Sequence, residues 1–268
     1  MTIYLDLTRE FNEGRLRAII CSGQAVVLHR LAIMSKDGDW ILREQEEALS
    51  HVLSVLAAHG ARYRFGAPLD VRWMAGGWSS HLEFRTARLR VRTDFFTRPP
   101  RITAEQMDST WAEQEGRDPP FVDAKLLAEL KKTNREKDYA VIGELARIMP
   151  DIGDRFLYSR SARDLIALAE RHPDLAIDLA RKRPVLSHIA SGREPLEAAL
   201  DGERRSLIRA NERRLERYLQ ASRGWADIWP DVVRQIENLP LLEAHKIVSE
   251  RADAVLPHRL EDADGTKG

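Results

Sequence analysis

A chain of 268 residues has room for one large or two small domains, and its 43% hydrophobic content is enough to bury a core. The 42 Lys and Arg balance the 42 Asp and Glu, so bulk charge argues for neither a nucleic-acid nor a membrane partner, although a local basic patch is compatible with it. The single cysteine, Cys21, excludes an internal disulfide and a cysteine-based zinc site; at the end of the apolar run Ala18 to Cys21 it reads as a buried, inert thiol. No stretch approaches the roughly 20 apolar residues of a membrane span. Met1 to Phe11 carries acidic residues and no long apolar core, unlike a secretory signal, so a reducing cytoplasm is the expected setting.

In chain order, Arg17 to Cys21 reads as a strand or the lead into a helix, Gln24 to Leu31 as helical, and Asp39 to Leu42 as a short extended run. Glu44 to Ala58 spaces Leu49, Val52, Leu53 and Leu56 three and four residues apart or adjacent, which predicts an amphipathic helix stopped at Gly60. Arg62 to Phe65 predicts another strand. His81 to Arg85 and Arg88 to Phe95 predict a hairpin, with Leu89, Val91 and Thr93 on one face and Arg88, Arg90, Arg92 and Asp94 on the other. Thr97 to Pro120 is rich in proline and charge and predicts an irregular connector with a helical turn after Thr103. Asp123 to Leu256 is helical in pattern, with breaks near Pro150, Pro173, Pro184, Gly192 and Pro230 and a long charged helix over Leu196 to Tyr218. Strands followed by helices predict an α+β protein with a mixed sheet and flanking helices in residues 1–120, a helical region in 121–260 and a disordered tail in 261–268.

The segment with chemistry runs from Cys21 to Leu42. Ser22-Gly23 is a small-residue turn at the start of a helix, where backbone N–H groups can approach phosphates closely. Asp37-Gly38-Asp39 has the sequence of a β-turn. If it is extended instead, the two carboxylates share a strand face roughly 6 to 7 Å apart. Two like charges on one face repel, and a magnesium ion, which takes one or two carboxylates plus phosphates and waters, relieves the repulsion. Asp94, near the end of a predicted strand, is a third carboxylate that a neighbouring strand could bring alongside, as metal ligand or as general base. Gly76 to His81 reads either as a substrate loop, with Trp78 stacking on a base and His81 touching phosphate, or as a loop flanking the hairpin with a packed tryptophan.

These residues resemble the nucleotidyltransferase superfamily, whose pattern is a small-residue turn, a helix, an Asp-x-Asp strand and a distant third Asp. A fourth element, Lys131-Lys132-Thr133-Asn134-Arg135-Glu136-Lys137-Asp138, is similar to the Lys-x-x-x-Arg-x-Lys-Asp signature of nucleotidyltransferase-like proteins related to the abortive-infection toxins. The resemblance covers roughly residues 15 to 145 and implies magnesium held by Asp37, Asp39 and Asp94, with Asp94 as catalytic base. It implies a nucleoside triphosphate at Ser22, Gly23, Lys131, Arg135 and Lys137, with Lys131 and Arg135 on one helix face as i,i+4 neighbours. It further implies transfer of a nucleoside monophosphate to a hydroxyl of RNA or protein, in a toxin–antitoxin or defence setting with an antitoxin-like partner. The alternative reading is a scaffold without turnover that acts through protein contacts.

Overall fold

A computed structural model describes residues 2–87 and 89–260. Arg88 of the expected hairpin and the tail after Leu260 lie outside the described residues. Two compact units divide the chain: the first runs through Met1–Val27, Ile33–Phe121 and Glu216–Gly268, the second through Leu28–Ala32 and Val122–Leu215. The chain passes between the units at Val27/Leu28, Ala32/Ile33, Phe121/Val122 and Leu215/Glu216; the last of these falls inside a helix, where composition has no reason to change.

The first unit is built on a five-stranded mixed sheet. Its elements are α1 (Thr2–Phe11), β1 (Ala18–Cys21), α2 (Ser22–Leu28, whose last residue belongs to the second unit), β2 (Asp37–Leu42), α3 (Glu46–Ala58), β3 (Arg62–Tyr63), α4 (Val71–Met74), β4 (Ser80–Arg85), β5 (Arg90–Phe96) and α5 (Ala104–Gln114). The strand order is β1-β2-β5-β4-β3, with β2 and β5 parallel and every other pair antiparallel. Because side chains alternate across a strand, this register sorts the sheet into two faces. On one, Trp40 stacks on Phe95 at 5.5 Å, and Phe11 meets both rings edge-on at 5.2 and 5.8 Å. The Trp40 indole N–H, fully buried, donates to Thr8 Oγ1 at 2.9 Å, so α1 satisfies the polar end of the ring it covers. The other face carries the charges described below.

The long connector expected over Thr97 to Pro120 contains an eleven-residue helix, α5, rather than a single turn. Thr103 and Gln106 close a reciprocal capping box at its start, and Met107 and Trp111 are buried on one side. The capping box was the signal that proline and charge obscured. In the C-terminal part, Pro230 does not end a helix: it sits inside α12 (Arg223–Ile236), whose Trp225, Val232 and Ile236 are buried on both sides of it. Burial of that face outweighs the lost backbone hydrogen bond. α13 (Leu241–Asp253) packs on α3. Indole N–H groups tie this segment to the sheet region: Trp73 donates to Leu256 O at 3.2 Å, Trp78 to Pro257 O at 2.8 Å, and Trp225 to Gly66 O at 2.9 Å.

The second unit is helical: α6 (Ala124–Leu130), α7 (Glu136–Ile148), α8 (Ile152–Tyr158), α9 (Ala162–Arg171), α10 (Pro173–Ala180), a 3₁₀ segment (Pro184–Ser191), and α11 (Arg193–Ala221) as far as Leu215. Asp123, Asp151 and Ser161 cap α6, α8 and α9 through their side chains. Phe156, Leu165, Leu186 and Leu196 form the centre of its apolar core.

Candidate active site

Asp37-Gly38-Asp39 is strand, not turn. Gly38 points toward the core, where a Cβ would lie 2.4 Å from the Trp40 ring and 2.6 Å from the Tyr4 ring. The glycine thus answers to aromatic packing on one face and leaves the two carboxylates on the other. Backbone pairing then lines up Cys21, Asp39, Asp94 and His81 across four strands, with Asp37, Arg92 and Glu83 forming the adjacent row. Asp39 and Asp94 are directly opposed in the parallel pair, so register, not sequence proximity, brings these carboxylates together.

Their charges are partly balanced. Asp94 Oδ1 accepts from Arg64 Nη1 at 3.1 Å and from His81 Nδ1 at 2.7 Å. Because a carboxylate only accepts, the proton in this contact sits on His81 Nδ1. Arg92 Nη1 lies 3.7 Å from Asp37 Oδ1, beyond hydrogen-bond range, and that buried oxygen has no hydrogen-bond partner among the described residues. Burial, and after it Asp37, raises the Tyr4 hydroxyl above its ordinary range, with smaller contributions from Asp39 and Asp94; all three acids therefore act on one place. Among the described residues no group of three or more His, Cys, Asp or Glu is arranged to hold a metal ion. The donors available are hard carboxylate oxygens, and one of them is buried and unsatisfied. That chemistry fits a magnesium ion sharing one or two carboxylates with a substrate phosphate, and not an all-protein metal cage.

The Ser22-Gly23 turn follows β1 directly. Ser22 has φ of 52°, a left-handed conformation that a glycine would adopt without strain. A Cβ on Gly23 would lie 2.2 Å from Ser35 Oγ and 3.1 Å from Ser35 Cβ, so a larger residue here would force the Ser35 hydroxyl to move. Gln24 Nε2 donates to Ser35 O and Asp37 O at 3.2 and 3.1 Å, fastening α2 to the start of the carboxylate strand.

No protein-family model and no curated protein matches this chain. Among solved structures, JHP933 from Helicobacter pylori aligns with 79% of this chain and 92% of its own, at 12% identity and a TM-score of 0.38. A proposed nucleotidyltransferase from H. pylori aligns with 79% of this chain and 96% of its own, at 13% identity and a TM-score of 0.36. Likeness at this level transfers neither a site nor an activity.

The Lys131–Asp138 segment belongs to the second unit and is not one helix. Lys131 caps the end of α6 and Arg135 precedes α7, so the expected i,i+4 pairing of the two on a helix face does not occur. The chain turns between them around Asp138. That buried carboxylate accepts from Lys131 Nζ at 3.5 Å, Thr133 Oγ1 at 2.6 Å and Arg135 Nε at 2.9 Å. Lys137 is exposed. Trp78 is 1% exposed and tilts against Tyr218 at 4.7 Å, which is the packed alternative rather than the base-stacking one. Sequence reasoning missed Arg64 altogether and linked His81 to phosphate rather than to Asp94; only strand pairing places the three together.

Proposed function

We propose that the chain is a nucleotidyltransferase-like protein that moves a nucleoside monophosphate from a nucleoside triphosphate to a hydroxyl acceptor. The observation that carries the reading is the register in which Asp39 of the Asp-x-Asp strand lies directly opposite Asp94, with Asp37 on the same face. Asp37 and Asp39 would hold magnesium, with Asp94 contributing from the neighbouring strand. When bound, the ion would neutralise phosphate charge and stabilise the transferring group. Asp94 fixes the His81 ring through Nδ1, and this pair takes the acceptor's proton as its oxygen bonds to the α-phosphorus and pyrophosphate leaves. Arg64 holds the Asp94 carboxylate in place. Ser22 and Gly23 would meet the phosphates from the turn after β1. By resemblance, the acceptor is RNA or protein, the setting is a cytoplasmic toxin–antitoxin or defence system, and an antitoxin-like protein would be a partner. The helical part of the chain after Asp138 would carry acceptor or partner specificity.

The test is incubation of the full chain with each radiolabelled nucleoside triphosphate and magnesium in total cell extract. Transfer of label to RNA or protein, lost on chelation, is the expected result. A second reading, a scaffold without turnover, draws support from the Arg64 and His81 contacts that already occupy Asp94 Oδ1. It predicts a rise in melting temperature with magnesium and nucleotide but no labelled product.

A further inference from the structure

The helical unit contains a cavity of about 410 Å³ lined by Arg160, Ser161, Arg163, Arg193, Glu197 and Asp201, among others. Behind its wall two guanidiniums share one carboxylate. Arg160 Nη1 donates to Glu203 Oε2 at 2.5 Å, while Arg183 donates to Glu203 through Nε at 3.0 Å and Nη2 at 2.8 Å. The Arg160 and Arg183 side chains are only 11% and 5% exposed. Lys132, whose charge also reaches Glu203, has its own carboxylate in Glu129. Among the described residues one positive charge in this buried group therefore has no carboxylate of its own; the Arg160 guanidinium lies over the Tyr139 ring at 5.5 Å, and its Nε has no hydrogen-bond partner there. An uncompensated buried charge is costly, and an anion beside it removes the cost.

The cavity offers the place for that anion. Its acids do not repel one, because each is already paired: Glu197 with Arg193 at 2.7 Å and Asp201 with Arg204 at 3.0 Å. Arg163, exposed on the lining, makes no ion pair among the described residues. The first turn of α9 contributes Ala162 and Arg163 to the same lining, so a helix N-terminus adds its partial positive charge. The volume exceeds what a bare oxyanion needs and lies within the roughly 300–1,000 Å³ of small-molecule sites. We propose that this cavity binds the phosphate group of a phosphorylated small molecule, a site separate from the carboxylate row of the sheet and independent of the transfer reaction.

The test uses the full chain in EDTA, so that a magnesium-dependent site is silent. It titrates inorganic phosphate and glycerol 3-phosphate while following Tm, with sodium chloride at matched ionic strength as control. The expected result is a saturable rise of about 2–6 °C at ten times Kd, absent with chloride. A lower Kd for glycerol 3-phosphate identifies an organic phosphate as the ligand, and an equal Kd identifies the free anion; both support an anion site. Arg163→Glu, a surface change, and Arg160→Gln should each raise Kd at least tenfold, whereas Asp39→Asn should leave it unchanged. If Arg160→Gln fails to fold, Arg163→Glu alone decides. No saturable rise, an equal rise with chloride, or an unchanged Kd in Arg163→Glu would overturn the proposal.

Discussion

The carboxylate row of the sheet and the Lys131–Asp138 segment both attract notice as charged motifs, but they use their charges differently. In the sheet, strand register gathers Asp37, Asp39 and Asp94 on a single face, where Arg64, Arg92 and His81 balance them only in part. In the helical segment, three donors converge on Asp138, and Lys131 and Asp138 are 8% and 5% exposed. A charged motif folded around its own counter-ion acts first on stability. One that keeps like charges side by side is the better place to look for a ligand.

The largest expected effect sharpens this contrast. Asp37→Asn, Asp39→Asn or Asp94→Asn should lower label transfer by about a hundredfold or more with the fold intact, as expected where charge stabilisation dominates the chemistry. Circular dichroism and transfer assays on the same preparations check it, and wild-type transfer in all three variants would remove the row from catalysis. In the other region, Asp138→Ala should cost about 3–5 kcal/mol of stability, because it leaves Lys131 buried and unpaired. Urea denaturation measures the loss, and a loss below about 1 kcal/mol would mean that the donors find other partners.

Gly38→Ala separates the two faces of one strand. It should destabilise the fold by about 1–3 kcal/mol through overpacking against Trp40 and Tyr4. If the variant is instead as stable as wild type, the aromatic packing does not explain the glycine. The smallest stability effect belongs to Arg135→Ala. Its side chain is 53% exposed in an i,i+3 pair, so about 1 kcal/mol or less should be lost. The same variant can break the comparison. A ten- to hundredfold weaker affinity for a nucleoside triphosphate, read by titration calorimetry, would show that this segment serves the nucleotide as well as the fold.

Much of the architecture was legible in the chain itself, since local rules govern it. Alternation marked the hairpin, with Val91 and Thr93 inward and Arg92 and Asp94 outward, and leucine spacing marked α3. Cys21 is buried, as the apolar run ending at it implied. Proline misled in both directions, hiding α5 and suggesting a break at Pro230, because capping and burial outweigh single-residue preference. The order of the motif residues was likewise written in the sequence. Whether Asp39 would stand opposite Asp94, or Arg64 and His81 beside it, was decided only by the pairing of β2 with β5 and of β4 with its neighbours. So was the fate of Lys131 and Arg135, which a turn around Asp138 separates from any common helix face. Periodicity follows from the geometry of one segment, whereas the counter-ion of each charge depends on which distant backbone the chain brings alongside.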